Sequence, residues 1–279
     1  MSEIDRRQFG DGVAAFAMLL ASGALAAPSP SPDDGRAPHK MPDMPAYWRG
    51  KEKVAFLIYP GFTALDMVGP QYMFANLMGA TIEIVGKSRD PIRSDTGVVF
   101  TPSAKFEDAA SNLDILCVPG GSAGTLAAMR DEETLAYIRA AGHGARYVTS
   151  VCTGSMLLGS AGMLDGYRAT SHWVTKPLLP VFGATPAEGR FVRDRNRITA
   201  EGVTAGLDFA LALVAELRDR KYAEGVQLLA QYAPAPPFNA GEPGTAPAAV
   251  TTMLDTMFAG FKEEMRAAAA AAYTRSKGL

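Results

Sequence analysis

From about residue 51 onward the chain is built of short apolar runs, each closed by turn residues and followed by a segment of helical spacing. Val54-Ala-Phe-Leu-Ile-Tyr59 is continuous and apolar, with charge before it and Pro60-Gly61 after it. That pattern predicts a strand buried on both faces. Leu65 to Met78 has helical spacing through Val68, Tyr72, Ala75 and Leu77, and Thr81-Ile-Glu-Ile-Val85 predicts a second strand. Leu113-Asp-Ile-Leu-Cys-Val118 predicts a third, closed by Pro119-Gly120-Gly121. Asp131 to Ala141 is helical, with Glu132 and Glu133 placed to favour the positive N-terminal end of the dipole. Tyr147-Val-Thr-Ser-Val151 is another buried strand, and Met156 to Ala161 continues as helix. Arg190 to Thr199 alternates around Arg195-Asn196 as a hairpin would, and Val203 to Arg218 is a strongly apolar helix. The Ala-rich end, 246–279, carries Val250, Leu254, Met257, Phe258 and Phe261 on one face. It predicts a single helix packed on the same core, a partner-binding helix being the alternative.

Strands alternating with helices imply right-handed crossovers and a mostly parallel, doubly wound α/β sheet of flavodoxin-like architecture, with helices on both faces. Ligands of such sheets gather beyond the carboxyl ends of the strands. Three turns therefore carry the candidate chemistry: Pro60–Pro70, Pro119–Gly124 and Ser150–Ser155.

The first residues break the pattern. Arg6-Arg7 precedes an uncharged apolar run from Val13 to Ala27 that contains Ala24-Leu25-Ala26. A twin arginine, a mildly apolar segment and a small-x-small site describe a Tat-type export signal over 1–26. The run is shorter than the roughly 20 residues of a membrane-spanning helix. Cleavage implies a periplasmic protein with no stable membrane insertion. Residues 27–50 hold six prolines, which fits an extended tether, and a single domain is expected over 51–279.

Composition narrows the function classes. With 27 Lys+Arg against 29 Asp+Glu the net charge is −2, which argues against nucleic acid as a partner. Only two cysteines and three histidines are present, so neither a disulfide framework nor a zinc site of ordinary spacing is expected. Cys117, inside an apolar run, reads as a buried core thiol. Cys152 falls between the strand ending at Val151 and the helix opening at Thr153-Gly154-Ser155, a strand-turn-helix nucleophile elbow. The helix N-terminus there is expected to lower its pKa. A cysteine merely packed at a helix start is the alternative. Both thiols are expected to stay free.

Ser150-Val-Cys152-Thr-Gly-Ser, Val-Pro119-Gly-Gly, Ala169-Thr-Ser-His172-Trp and Val203-Thr-Ala-Gly206 resemble the PfpI/ThiJ-like superfamily of class I glutamine-amidotransferase-like folds. Tyr59-Pro-Gly-Phe-Thr-Ala-Leu-Asp66-Met-Val-Gly-Pro70, Leu164-Asp-Gly-Tyr-Arg-Ala-Thr and Tyr232-Ala-Pro-Ala-Pro-Pro-Phe-Asn-Ala-Gly are similar to its isonitrile hydratase branch. The resemblance runs in order from about Lys51 to the C-terminus. It implies a small-molecule substrate, an isonitrile hydrated to an N-substituted formamide without metal or organic cofactor, by a homodimer. It implies Cys152 as nucleophile, Asp66 as acid and base, and Thr153 in the site. Backbone N–H groups near Gly121 and Thr153 would hold developing charge. Asp66 would have to begin protonated; its alternative role is an N-cap for a helix opened by Gly69-Pro70. His172 is a possible accessory, with a structural place beside Trp173 as the alternative. The superfamily also contains glyoxalase- and amidohydrolase-type enzymes, redox or ligand sensors, and the sensor half of AraC-type regulators.

Overall fold

The computed structural model describes residues 43–277. The signal sequence expected over 1–26, the tether as far as residue 42, and His39 lie outside the described residues. Seven strands form the central sheet: β1 (Lys53–Leu57), β2 (Thr81–Gly86), β5 (Ala104–Lys105), β6 (Ile115–Val118), β7 (Tyr147–Val151), β10 (Phe191–Asp194) and β11 (Arg197–Ala200). Their order across the sheet is β10-β11-β7-β6-β1-β2-β5. All neighbours are parallel except the β10–β11 hairpin. Two short ribbons flank the sheet, antiparallel β3 (Ile92–Arg93) with β4 (Val99–Phe100), and parallel β8 (Arg168–Ala169) with β9 (Thr185–Pro186).

The continuous apolar runs occupy the middle of the sheet. β6 and β7 are buried at every position, and β1 at every position after Lys53. A strand flanked on both sides by other strands and covered on both faces has no position left for a polar side chain, hence its unbroken run. Two sets of helices supply the cover. On one side α1 (Ala64–Ala75) packs on α5 (Ala205–Leu217), which packs on α6 (Arg220–Leu229). On the other, α4 (Gly154–Ser160) meets α2 (Ala123–Ala128), α3 (Glu132–Gly144) and α8 (Ala259–Lys277).

The C-terminal segment corrects the sequence reading. It forms two helices, α7 (Ala248–Met257) and α8, with Phe258 as the C-cap between them. Core contact comes from Met265, Ala268, Ala269 and Ala272 of α8, whereas Val250, Met253 and Met257 of α7 stay exposed. Alanine wins the contact because its small side chain lets α8 approach α4 closely. Met265→Ala is expected to cost about 2–5 kcal/mol in chemical denaturation, and Met253→Ala to stay within about 0.5 kcal/mol.

Candidate active site

Two of the three carboxyl-end turns are stitched together by backbone. Phe62 bridges Gly121, and the Thr63 N–H donates to the Gly120 carbonyl at 2.8 Å. The third, the elbow, packs against them so closely that a Cβ at Gly154 would lie 2.1 Å from the Val118 carbonyl oxygen. A Cβ at Gly120 would lie 2.5 Å from the Thr153 nitrogen and 3.0 Å from Asp66 Oδ2. Only glycine allows that approach.

Cys152 sits at the elbow with φ of +58°, a conformation uncommon for a residue with a side chain. Its surroundings fix it there. The Cys152 N–H donates to the carbonyls of Ala200 (3.1 Å) and Glu201 (2.8 Å). Its carbonyl accepts from Ser155 Oγ and Ser171 Oγ, each at 3.2 Å. Those hydroxyls are linked at 2.7 Å, and Ser171 continues to Thr175 at 2.8 Å.

Asp66 lies in the first turn of α1 and is fully buried. It is not an N-cap, since α1 opens at Ala64 with Thr63 as its cap residue, and Pro70 lies inside the helix. Pro70, four residues on, has no N–H to offer the Asp66 carbonyl. Asp66 Oδ2 accepts the Gly120 N–H at 2.9 Å, and Oδ1 has no partner of full hydrogen-bond geometry. The carboxyl and the Cys152 thiol are nevertheless close enough to interact and to shift each other's protons. Burial is the main cause that pushes Asp66 up to about 8, with the Asp95 charge adding to it. At neutral pH Asp66 is therefore a carboxylic acid.

The thiol departs from the sequence expectation. Burial first, then the charge of Asp66, push Cys152 well above the ordinary thiol value. The Thr153 backbone and hydroxyl do favour the thiolate, as a helix start should, but they are outweighed. The helix behind them is only seven residues long, and desolvation of a sulfur anion is a larger effect. The resting pair is thus a thiol beside a carboxylic acid.

Thr153 joins the site through its hydroxyl as well. Thr153 Oγ1 donates to the Gly121 carbonyl at 2.7 Å and accepts the Gly121 N–H at 2.9 Å. The Gly121 N–H, expected as an oxyanion donor, is therefore already engaged, which corrects that expectation. The Thr153 N–H faces the Cys152 sulfur. Behind Thr153 a buried hydroxyl chain runs through Thr125 (2.9 Å) to Tyr59 (2.9 Å), whose phenol also donates to the Pro119 carbonyl at 2.8 Å. Sequence reasoning quoted Tyr59, Ser155 and Ser171 within motifs without their hydrogen-bonding roles, and did not single out Thr125. A tyrosine ending a fully apolar strand was the available signal, because a buried phenol needs a partner.

His172 is held neutral by burial and makes no hydrogen bond to Cys152 or Asp66. Its Nδ1 accepts the Val174 N–H at 3.4 Å, and its ring lies tilted against Trp173. Cys117 is fully buried, pushed up to about 12 by desolvation, and both cysteines are free thiols.

The sequence profile of the DJ-1/PfpI family matches residues 52–216, the whole of the sheet and its turns. The chain belongs to the DJ-1/PfpI family. It is 50% identical to an isonitrile hydratase of Pseudomonas putida over 198 residues, spanning 71% of this chain and 86% of that protein. A crystal structure of a ThiJ/PfpI family protein from Pseudomonas syringae superposes with a TM-score of 0.80 at 54% identity, covering 83% of this chain and 98% of that one. The transcriptional regulator GbdR of Pseudomonas aeruginosa is 29% identical over 66% of this chain, which spans only 52% of the regulator.

Proposed function

We propose that this protein hydrates an isonitrile to an N-substituted formamide, with Cys152 as nucleophile and Asp66 as the proton carrier. The observation that carries the reading is the pair itself: a buried carboxylic acid, unpartnered at one oxygen, beside a thiol at a glycine-lined elbow. Similarity to the Pseudomonas putida isonitrile hydratase supports the choice of substrate.

The chemistry needs both protons in place. The Cys152 sulfur forms a bond to the terminal carbon while Asp66 delivers a proton to the same carbon. The thiol proton passes to the freed carboxylate oxygen. The product is a thioimidate, and Asp66 is again protonated. Asp66 then protonates the imine nitrogen and, as carboxylate, takes a proton from the water that adds to the carbon. Collapse breaks the carbon–sulfur bond, the hydroxyl proton returns to sulfur through the carboxyl, and the formamide leaves. Two oxygens on one side chain suffice for these transfers. As the carbon–sulfur bond breaks, the Thr153 N–H helps to carry negative charge on the departing sulfur.

Incubation with a panel of isonitriles, beginning with cyclohexyl isocyanide, and detection of the formamide tests the reading. No product from any member would overturn it. We also propose that the mature protein is a periplasmic homodimer, which N-terminal sequencing of exported material and sedimentation would check. Among the described residues no helix is long and apolar enough to cross a membrane.

A further inference from the structure

Cys152 is only 7% exposed and Asp66 is not exposed at all, so a substrate needs a defined way in. A cleft of about 1540 Å³ is lined by neighbours of the elbow and not by Cys152, Asp66 or Thr153 themselves. Glu201, whose carbonyl accepts the Cys152 N–H, lines it, as does His172, the neighbour of Ser171. The far side is formed by the proline-rich segment between Tyr232 and Gly244.

The charge of this lining is lopsided. Lys176 and Arg190 face Glu188, Glu201, Asp208 and Glu242, an excess of two negative charges. Both cations are already occupied. Lys176 Nζ lies 2.6 Å from Glu188 and 3.3 Å from Glu201, while Arg190 is held by Asp208 at 2.6 Å. Neither is available to receive an incoming carboxylate or phosphate. Trp173, Phe191 and Leu207 give the same cleft an apolar component.

We propose that this cleft is the approach to Cys152, and that it admits neutral or cationic groups while turning anionic ones away. Resting on the hydration reading above, the substrate is then an isonitrile whose nitrogen carries a neutral, largely apolar or a cationic substituent. A concave surface of one sign focuses its field, so a modest excess acts on the encounter rate, and salt weakens it.

Thiol alkylation reads the approach without any isonitrile chemistry. The full chain is treated with iodoacetamide or iodoacetate, and Cys152 labelling is followed by peptide mass; fully buried Cys117 is the internal control. At low salt the preference for the neutral reagent should exceed that of N-acetylcysteine at least about five-fold, and shrink near 0.5 M salt. Glu188→Gln with Glu242→Lys changes two exposed side chains, taking the lining from an excess of two negative charges to one positive. It should reduce that preference at least about three-fold. A preference equal to that of N-acetylcysteine, one untouched by the double substitution, or a Cys152 that neither reagent labels in the folded chain overturns the proposal. The same two proteins are then compared for kcat/KM on cyclohexyl isocyanide and on isocyanoacetate. The ratio should fall in parallel. Turnover with an indifferent ratio overturns the cleft and leaves the hydration reading standing. Charge-dependent alkylation without turnover of either compound keeps the approach and overturns the isonitrile clause.

Discussion

Cys152→Ala is expected to bring formamide production down to that of a blank without enzyme. In the proposed reaction the sulfur is the atom that bonds to carbon, and no other thiol can replace it: Cys117 is sealed in the sheet and pushed up to about 12. Cys152→Ser should be almost as inactive, since a hydroxyl is a harder nucleophile and holds its proton more tightly. Loss of folding is not the expected cause. The residue's position is set by backbone contacts to Ala200 and Glu201 and by the hydroxyls of Ser155 and Ser171, none of which uses the sulfur. Both variants should therefore unfold in chemical denaturation within about 1 kcal/mol of the wild-type chain. Measurable formamide from purified Cys152→Ala, above the blank, would remove the covalent mechanism. Normal activity in Cys117→Ala would add that the two cysteines have separate jobs.

The different places of the two cysteines were legible in the sequence, because an apolar run and a strand-to-helix turn look different in one dimension. So were β1, β6 and β7, whose burial on both faces leaves unbroken apolar runs. The edge was not. β5 pairs through only two residues, Ala104 and Lys105, and exists because β2 is already in place. The break at Phe258 was hidden for a related reason: large apolar residues on α7 outshone the alanines of α8, yet packing depends on how closely a helix can approach. In the candidate site, the meeting of Asp66 and Cys152 was legible from their turns together with the family resemblance. The hydroxyl chain was not, since Tyr59 and Thr125 are 66 positions apart and only the fold brings them to 2.9 Å. The direction in which the Cys152 pKa moves was misread because a helix start is visible in sequence and the depth of burial is not.

Asp66→Asn should lower kcat/KM by about 10²–10⁴-fold, the usual worth of a positioned acid and base, and should make the protein more stable at the same time. The two effects share one cause. Asp66 titrates near 8 in the fold, against 3.8 for a free aspartate. Between those values the folded chain holds a proton that the unfolded chain has released, so stability falls as pH rises through the window and levels off above about 8. At pH 7 the cost is of the order of a few kcal/mol, because each pH step across that window removes about 1.36 kcal/mol of stability. Asparagine is neutral in both states and removes that cost, while its carbonyl can still accept the Gly120 N–H that Asp66 Oδ2 accepts. Denaturation across pH should show the two proteins converging near pH 4 and separating toward pH 8, with the variant the more stable. Activity should move the opposite way. Wild-type kcat/KM should fall as pH rises through about 8, where Asp66 loses the proton the proposed reaction requires, and the low residual rate of Asp66→Asn should not show that step. A variant less stable than wild type at pH 7 would mean that Asp66 is ionised in the fold. The acid that opens the reaction would then have to be another group. Stability held back at a site that needs a protonated, buried carboxyl is what a chemical role predicts, and a structural carboxylate would show the reverse slope.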